Sequence, residues 1–173
     1  MRTCVINLFA GPGVGKSTMA ADLFAAMKKS GYEVEMVREW VKLWAWEGKK
    51  MNLQDQIMVF ANQLHEETSL YGKVNYLITD SPFILSPFYE DVNYHSTHTL
   101  SAAKAIMFEA EQNNVSYLNF FIDRTRAYKK AGRFQSEKKA KWLDKRLKDF
   151  LLENQIEFEI ISNKEDILLE LLQ

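Results

Sequence analysis

The stretch Ala10-Gly11-Pro12-Gly13-Val14-Gly15-Lys16-Ser17 constrains this chain more than any other. Its spacing is that of a Walker A phosphate loop, with Ala10 where the first glycine usually stands. Such a loop works only between a strand and a helix, because the curled backbone aims its N–H groups at phosphate oxygens and the helix N-terminus adds its dipole. Both flanks agree with that requirement. Thr3–Phe9 is a continuous apolar run, as a buried parallel strand should be, and from Lys16 onward Met19, Leu23, Ala26 and Met27 recur at helical spacing until Gly31. Gly13 and Gly15 are expected to let the backbone curl, Lys16 to reach the β- and γ-phosphates, Ser17 to ligate Mg²⁺ and Thr18 to touch the α-phosphate. Gly11, Pro12 and Val14 complete the nucleotide-holding loop.

Short β-rich runs continue to alternate with helical periods. Tyr32–Val37 reads as a second strand, followed by a loop or short helix over Arg38–Trp46. Leu53, Ile57, Phe60 and Leu64 mark a long helix running to about Tyr71, with Gly72 beyond it, and Asn75–Thr79 is a third strand closed by Asp80, Ser81 and Pro82. Leu100, Ala103, Ile106, Met107 and Ala110 predict another helix, Tyr117–Ile122 another strand, and Leu143, Leu147, Phe150 and Leu151 the inward face of a helix capped at Ser136. Glu157–Ile161 and a last helix complete the chain. The order predicts an α/β fold of the three-layer P-loop NTPase kind, a parallel sheet of about five strands with helices on both faces. A ligand then belongs at the carboxyl ends of the strands, where Ala10, Arg38, Asp80 and Asp123 fall.

Residues 1–173 show no repeat, low-complexity tract or Pro/Gly/Ser linker, and 47% of them are apolar, so one compact domain is expected. The apolar run before Gly11 is too short for a secretory signal or a membrane span. Cys4 has no partner to bridge and reads as a small core residue of a protein in a reducing compartment, the cytosol. Net charge is −1, but Arg124–Lys148 carries eleven cations against Glu137 and Asp144. That concentration suits bound phosphates, a polynucleotide or a solvated helix face.

A guanine-nucleotide switch is suggested by Asn163-Lys164-Glu165-Asp166, yet no Asp-x-x-Gly switch sequence occurs and little chain follows for a further base-binding loop. Ser162 with Glu165 instead predicts a capping box for the last helix. A motor ATPase needs a larger body or a helical lid domain. A phosphoryl transferase needs a metal-holding acid, a group to deprotonate or hold the acceptor, and cations over the transferring phosphate. Asp80, at the end of an apolar run, suits the Mg²⁺ role beside Ser17, while Asp123 is expected to orient the arginines that follow it. Glu39, just past the second strand, is the preferred base. Arg38, Trp40, Gln63 and Phe83 are candidate acceptor contacts, by charge, ring stacking and amide hydrogen bonding. Arg124–Gln135, with five cations and Gly132, suits a basic lid over a triphosphate. His95 and His98 lack a third ligand nearby in sequence, which together with the phosphate loop argues against a zinc site.

The pieces "FAGPGVGKST", "REW", "FANQLHEE", "LITDSPFILSPFY", "AGRFQ" and "FLLENQIEFEIIS" resemble, in that order, the small P-loop kinases related to the ribosylnicotinamide kinase domain, many of them phage-encoded, with deoxynucleoside kinases as more distant cousins. The resemblance implies that Glu39 serves as base, Asp80 as the acid ending the third strand, and Arg126 and Arg133, with Arg124, as lid cations. It also implies ATP, with GTP as the alternative, and Mg²⁺. Where relatives often have Arg after the aspartate, this chain has Ser81 and Pro82, which shifts weight to Arg38 and the lid. The acceptor stays open: a nucleoside, a nucleoside monophosphate, ribosylnicotinamide, or a hydroxymethylated pyrimidine within DNA bound through residues 124–148. A nucleotide-binding switch or regulatory ATPase is the alternative of another class.

Overall fold

The computed structural model describes residues 1–124 and 136–171. In chain order the elements are β1 (Thr3–Phe9), α1 (Lys16–Lys29), β2 (Val34–Val37), α2 (Lys42–Glu47), α3 (Leu53–Thr68), β3 (Tyr76–Thr79), α4 (Leu85–Tyr94), α5 (His98–Gln112), β4 (Val115–Ile122), α6 (Glu137–Glu153), β5 (Glu159–Ile161) and α7 (Lys164–Glu170). The strands form one sheet in the order β2-β3-β1-β4-β5, with every pairing parallel. This is the five-stranded α/β arrangement that the strand-helix alternation predicts.

Side chains alternate across the sheet with the two-residue period of a strand. Ile6 and Leu8 of β1 and Phe120 and Ile122 of β4 face Ala20, Leu23 and Met27 of α1 and Ile167 of α7. On the opposite face Phe9 and Phe121 pack with Phe60 of α3, Phe88 of α4, Ala103 of α5, and Leu143 and Phe150 of α6. Helices thus cover both faces, which is why the β1 run is apolar at almost every position rather than at every second one. Among the described residues no helix is long and apolar enough to cross a membrane.

The α4 helix is the element that periodicity did not reveal. Its sequence, LSPFYEDVNY, places Pro87 in the first turn, where the missing N–H has no intrahelical acceptor to lose. Proline and the aromatic cluster mask the helical pattern, yet Leu85, Pro87, Phe88 and Glu90 are all buried. The last helix starts one residue later than the predicted box implies. Asn163 and Asp166, not Ser162 and Glu165, exchange the reciprocal capping bonds: Asp166 N–H donates to Asn163 Oδ1 at 3.1 Å, and Asn163 N–H to Asp166 Oδ2 at 3.2 Å. An Asn caps as well as a Ser, and this register turns Ile167 into the core.

Glu90 fastens α4 to α5. Its fully buried carboxylate accepts from His98 N–H at 2.8 Å, Thr99 N–H at 3.0 Å and Ser96 Oγ at 2.7 Å, and also from Thr99 Oγ1. It therefore satisfies the N-terminus of α5, which has no side-chain cap of its own. Burial alone would raise this carboxyl, but the bonds from Thr99, Ser96 and the His98 and Thr99 backbone overcome it and hold the pKa down at about 2. Because the folded value lies below the ordinary 4.5, the stabilisation is present above pH 4.5 and is lost as pH falls toward 2. Glu90→Leu is expected to cost about 1–3 kcal/mol in urea unfolding at pH 7 through unpaired donors. The gap between variant and wild type should close across that acid window.

Candidate active site

The phosphate loop joins β1 to α1, and its backbone is built for an anion. Gly13 (φ +86°) and Gly15 (φ +113°) occupy the left-handed region that favours glycine, which curls the loop around the start of α1. The first turn of α1 has neither a side-chain cap nor an acidic residue, so its N–H groups are left for a ligand. Ser17 and Thr18 are exposed at that end. The Lys16 ammonium folds back to donate to Ala10 O at 2.7 Å and Gly11 O at 3.4 Å. Burial lowers its pKa, while the charges of Glu39, Asp80 and Asp144 oppose that fall.

Two strand ends bring their acids to the same place. Val37 pairs with Thr79 across β2 and β3, so the residues that follow leave the sheet side by side. Asp80, 6% exposed, accepts the Glu39 backbone N–H on Oδ1 at 3.1 Å. This bond fixes the Glu39 main chain against the aspartate. The Glu39 side chain is exposed to solvent, but the protein atoms crowded around it raise its carboxyl pKa, against the pull of Lys16 and with a push from Asp80. Lys16, Glu39 and Asp80 therefore sense one another electrostatically at the carboxyl edge of the sheet. Asp80 has no ion-pair partner among the described residues. Its carboxylate and the Ser17 hydroxyl are hard oxygen donors, the chemistry that Mg²⁺ takes.

The acceptor-side candidates are arranged differently from the sequence expectation. Phe83 is 2% exposed and packs edge-on against Phe60, so its ring is a core group with no face for a ligand. Gln63 is buried as well. Its Oε1 accepts Trp40 N–H at 3.1 Å and its Nε2 approaches Glu67 Oε1 at 3.4 Å, which occupies the amide that was expected to read a heterocycle. Glu67, which no motif singled out, accepts Phe83 N–H at 2.8 Å. One face of α3 thus brackets the loops after β2 and β3. Trp40 is half-buried and lies edge-on to Trp44 with centroids 4.9 Å apart, while Arg38 is exposed. Tyr89 is also drawn into this region: burial and the charges of Glu39 and Asp144 push its hydroxyl pKa up.

Asp144 of α6 is the other group that sequence reasoning missed. It accepts Gly11 N–H on Oδ1 at 2.7 Å and Arg124 Nε–H on Oδ2 at 2.6 Å, and Arg124 Nη2 donates to Pro12 O at 3.0 Å. Asp123, expected to orient Arg124, is exposed and lies 3.8 Å from Lys148 instead. A strand-end position points Asp123 outward, whereas α6 carries Asp144 back over the loop. Arg126, Arg133 and the rest of the expected lid after Arg124 lie outside the described residues. On α6, Lys138, Lys139, Lys141 and Lys145 are exposed. Arg146 instead bridges Asp91 at 2.8 Å and Glu153 at 3.0 Å.

A cavity opens between the start of α1 and the β5–α7 connection, lined by Gly15, Thr18, Met19, Ile122, Asn163 and Lys164 among others. The Asn163–Asp166 pair at its rim is engaged in capping α7, with Asp166 Oδ2 also accepting Ser162 N–H at 3.0 Å. Those bonds commit Asn163 Oδ1 and Asp166 Oδ2 to the cap of α7, so Asp166 does not have both oxygens free for a guanine.

A family model, AAA_28, described as an AAA domain, matches residues 5–167. None of the curated proteins matches the chain. Among solved structures, deoxyadenosine kinase from M. mycoides with bound dATP superposes with a TM-score of 0.60 at 21% identity, over 99% of this chain and 100% of that one. The same kinase with products dCMP and a flexible dCDP bound gives 0.53 at 20% identity, over 92% and 88%. The crystal structure of APE1195 gives 0.50 at 16% identity, over 93% and 86%. At these identities the likeness establishes the fold, a kinase-like P-loop α/β sheet.

The Glu67 bracket makes a prediction that needs no ligand. Burial raises the Glu67 carboxyl well above its ordinary 4.5, with the bonds from Phe83 and Gln63 opposing, and Oε2 is buried without a partner among the described residues. A raised acid lends stability below its unfolded pKa and withdraws it as pH climbs through the folded value. The stability of Glu67→Gln relative to wild type should therefore increase with pH above 4.5. Parallel urea titrations at pH 4.5 and pH 8 measure this, and a pH-independent difference would contradict it.

Proposed function

The chain belongs to the AAA_28 family, and from that premise we propose that it is an ATP- and Mg²⁺-dependent kinase. It moves the γ-phosphoryl group to a hydroxyl or phosphate of a nucleoside- or nucleotide-like acceptor. The observation that carries this reading is the convergence of Lys16, Glu39 and Asp80 at one sheet edge, with a raised carboxyl beside the phosphate loop. A hydrolytic switch has no need of a proton-accepting side chain aimed at a second substrate. Support for the acceptor class comes from the M. mycoides neighbour, a deoxyadenosine kinase.

In this reading the loop amides from Gly13 to Ser17 and the N-terminus of α1 receive the β- and γ-phosphates. Lys16 leaves Ala10 O and Gly11 O to follow the charge that develops on the transferring group. Ser17 and Asp80 would hold Mg²⁺, which would supply positive charge against the phosphates. Glu39 accepts the acceptor's proton, and its raised pKa brings it nearer the operating pH, where a general base works best. Arg38 and Trp40, on the same loop, contact the acceptor. Arg124 binds on the nucleotide side, and Arg126 and Arg133 supply further cations. The base of the nucleotide lies against the β5–α7 connection, where the engaged Asn163 and Asp166 favour adenine over guanine reading.

A second reading takes the acceptor within DNA and rests on the exposed lysines of α6. Its signature is activity that falls steeply with salt, because each neutralised phosphate releases counterions. An acceptor screen by mass spectrometry over nucleosides, monophosphates, ribosylnicotinamide and hydroxymethyl-pyrimidine DNA separates the two. Phosphate released steadily to water with no phosphorylated product from any acceptor would overturn the kinase reading. Lys16→Ala is expected to abolish transfer, and Glu39→Gln to reduce kcat by about 10²-fold or more with an unchanged melting temperature. ADP is expected to bind at least as tightly as GDP in calorimetry.

A further inference from the structure

Gly11 is a glycine that neither the Walker A spacing nor the backbone demands. The pattern asks for glycine at positions 10 and 15, and Gly11 is not among the residues with positive φ. What requires it is α6. A Cβ at position 11 would overlap Asp144 Oδ1 and come within 3.0 Å of Ala140 O. The helix approaches the loop so closely that only an unsubstituted Cα leaves room for the Gly11 N–H to reach Asp144.

The peptide unit concerned, Ala10–Gly11, is polarised from both ends. Its N–H donates to the Asp144 carboxylate at 2.7 Å, and its carbonyl, Ala10 O, accepts from the Lys16 ammonium at 2.7 Å. An anion on the N–H side strengthens the carbonyl as an acceptor, since hydrogen bonds in series polarise one another. Asp144 is only 16% exposed and its other oxygen is held by Arg124, itself anchored to Pro12 O. The result is one relay from α6 through a loop peptide to the lysine expected to meet the phosphates.

We propose that Asp144 is a positioning residue for nucleotide binding, acting from α6 through the Ala10–Gly11 peptide to hold the phosphate loop and Lys16 ready. The inference rests on the phosphate-loop reading above. It assigns Gly11 to the contact with Asp144 rather than to phosphate, so damage from either side of that contact is the same damage.

Calorimetric titration of the full chain with Mg·ATP tests this, using Asp144→Ala, Asp144→Asn, Gly11→Ala and the double variant Gly11→Ala/Asp144→Ala. Each Ala variant should weaken ATP binding by about tenfold, a loss of about 1.4 kcal/mol. The double variant should be no weaker than the worse single one, and Asp144→Asn, whose amide oxygen still accepts from Gly11 N–H, should recover part of the affinity. A purely structural role would lower thermal stability without this non-additivity and without the Asn rescue. Wild-type affinity in folded Asp144→Ala, or losses that multiply in the double variant, would overturn the inference alone. If Asp144→Ala does not fold, the decision passes to Asp144→Asn and Gly11→Ala: wild-type affinity in both overturns the inference, and weakened binding in Gly11→Ala with a smaller loss in Asp144→Asn supports it. A wild-type chain that binds neither ATP nor GTP overturns the phosphate-loop reading first.

Discussion

The register of β1 between β3 and β4 decides where every polar group of the site ends up. Asn7 lies opposite Thr79 on one side and Asn119 on the other, and Phe9 opposite Phe121. With all pairings parallel, the phosphate loop, Asp80 and Arg124 then leave the sheet at one edge, and the β2–β3 pairing delivers Glu39 beside them. A one-residue slip would carry each side chain to the opposite face of the sheet, driving Phe9 and Phe121 into the layer that Ile6, Leu8 and Phe120 fill, and this mismatch of packed shapes is what keeps the site in register. The position of the chemistry is thus secured by Ile6, Leu8, Phe120 and Phe121, none of which takes part in it.

What gathers at that edge is electrostatically uncomfortable. Lys16 is lowered and Glu39 raised, each by desolvation first, and the two moderate each other. Such shifts are typical of functional sites, where charge is held in readiness for a ligand rather than neutralised within the protein. The compensation comes from backbone amides: Glu39 N–H to Asp80, Trp40 N–H to Gln63, Phe83 N–H to Glu67 and Gly11 N–H to Asp144. Four loop amides are therefore held by side chains, and the loops after three strands are each fastened near their roots.

The sequence made the fold legible because its strongest signals are local. The Walker A spacing, the apolar strand runs and the helical periods each depend on neighbours within a few turns, and the residues that end the strands follow from them. Three kinds of feature escaped. The α4 helix was hidden because Pro87 and adjacent aromatics break the usual period while tertiary packing supplies the stability. The roles of Glu67 and Asp144 depend on partners far away in sequence, Phe83 and Gly11, and a polar residue on an amphipathic helix carries no mark of which backbone amide it will meet. Gln63 and Phe83 show the opposite side of the same limit: their residue types suit a ligand, and residue type alone does not show that both are buried in the fold.

The glycines of the loop illustrate how one short motif can answer to several parts of the structure at once. Gly13 and Gly15 are set by backbone conformation, since a side chain at φ +86° or +113° is strained wherever it points. Gly15 has nothing within reach of an added Cβ, so its constraint is conformational alone. Gly11 is the reverse case, with ordinary backbone and no space. The first two answer to the curl of this loop's own backbone. The third answers to the sixth helix, which follows the basic segment and closes against the loop, and it ties the phosphate grip to the part of the chain richest in positive charge.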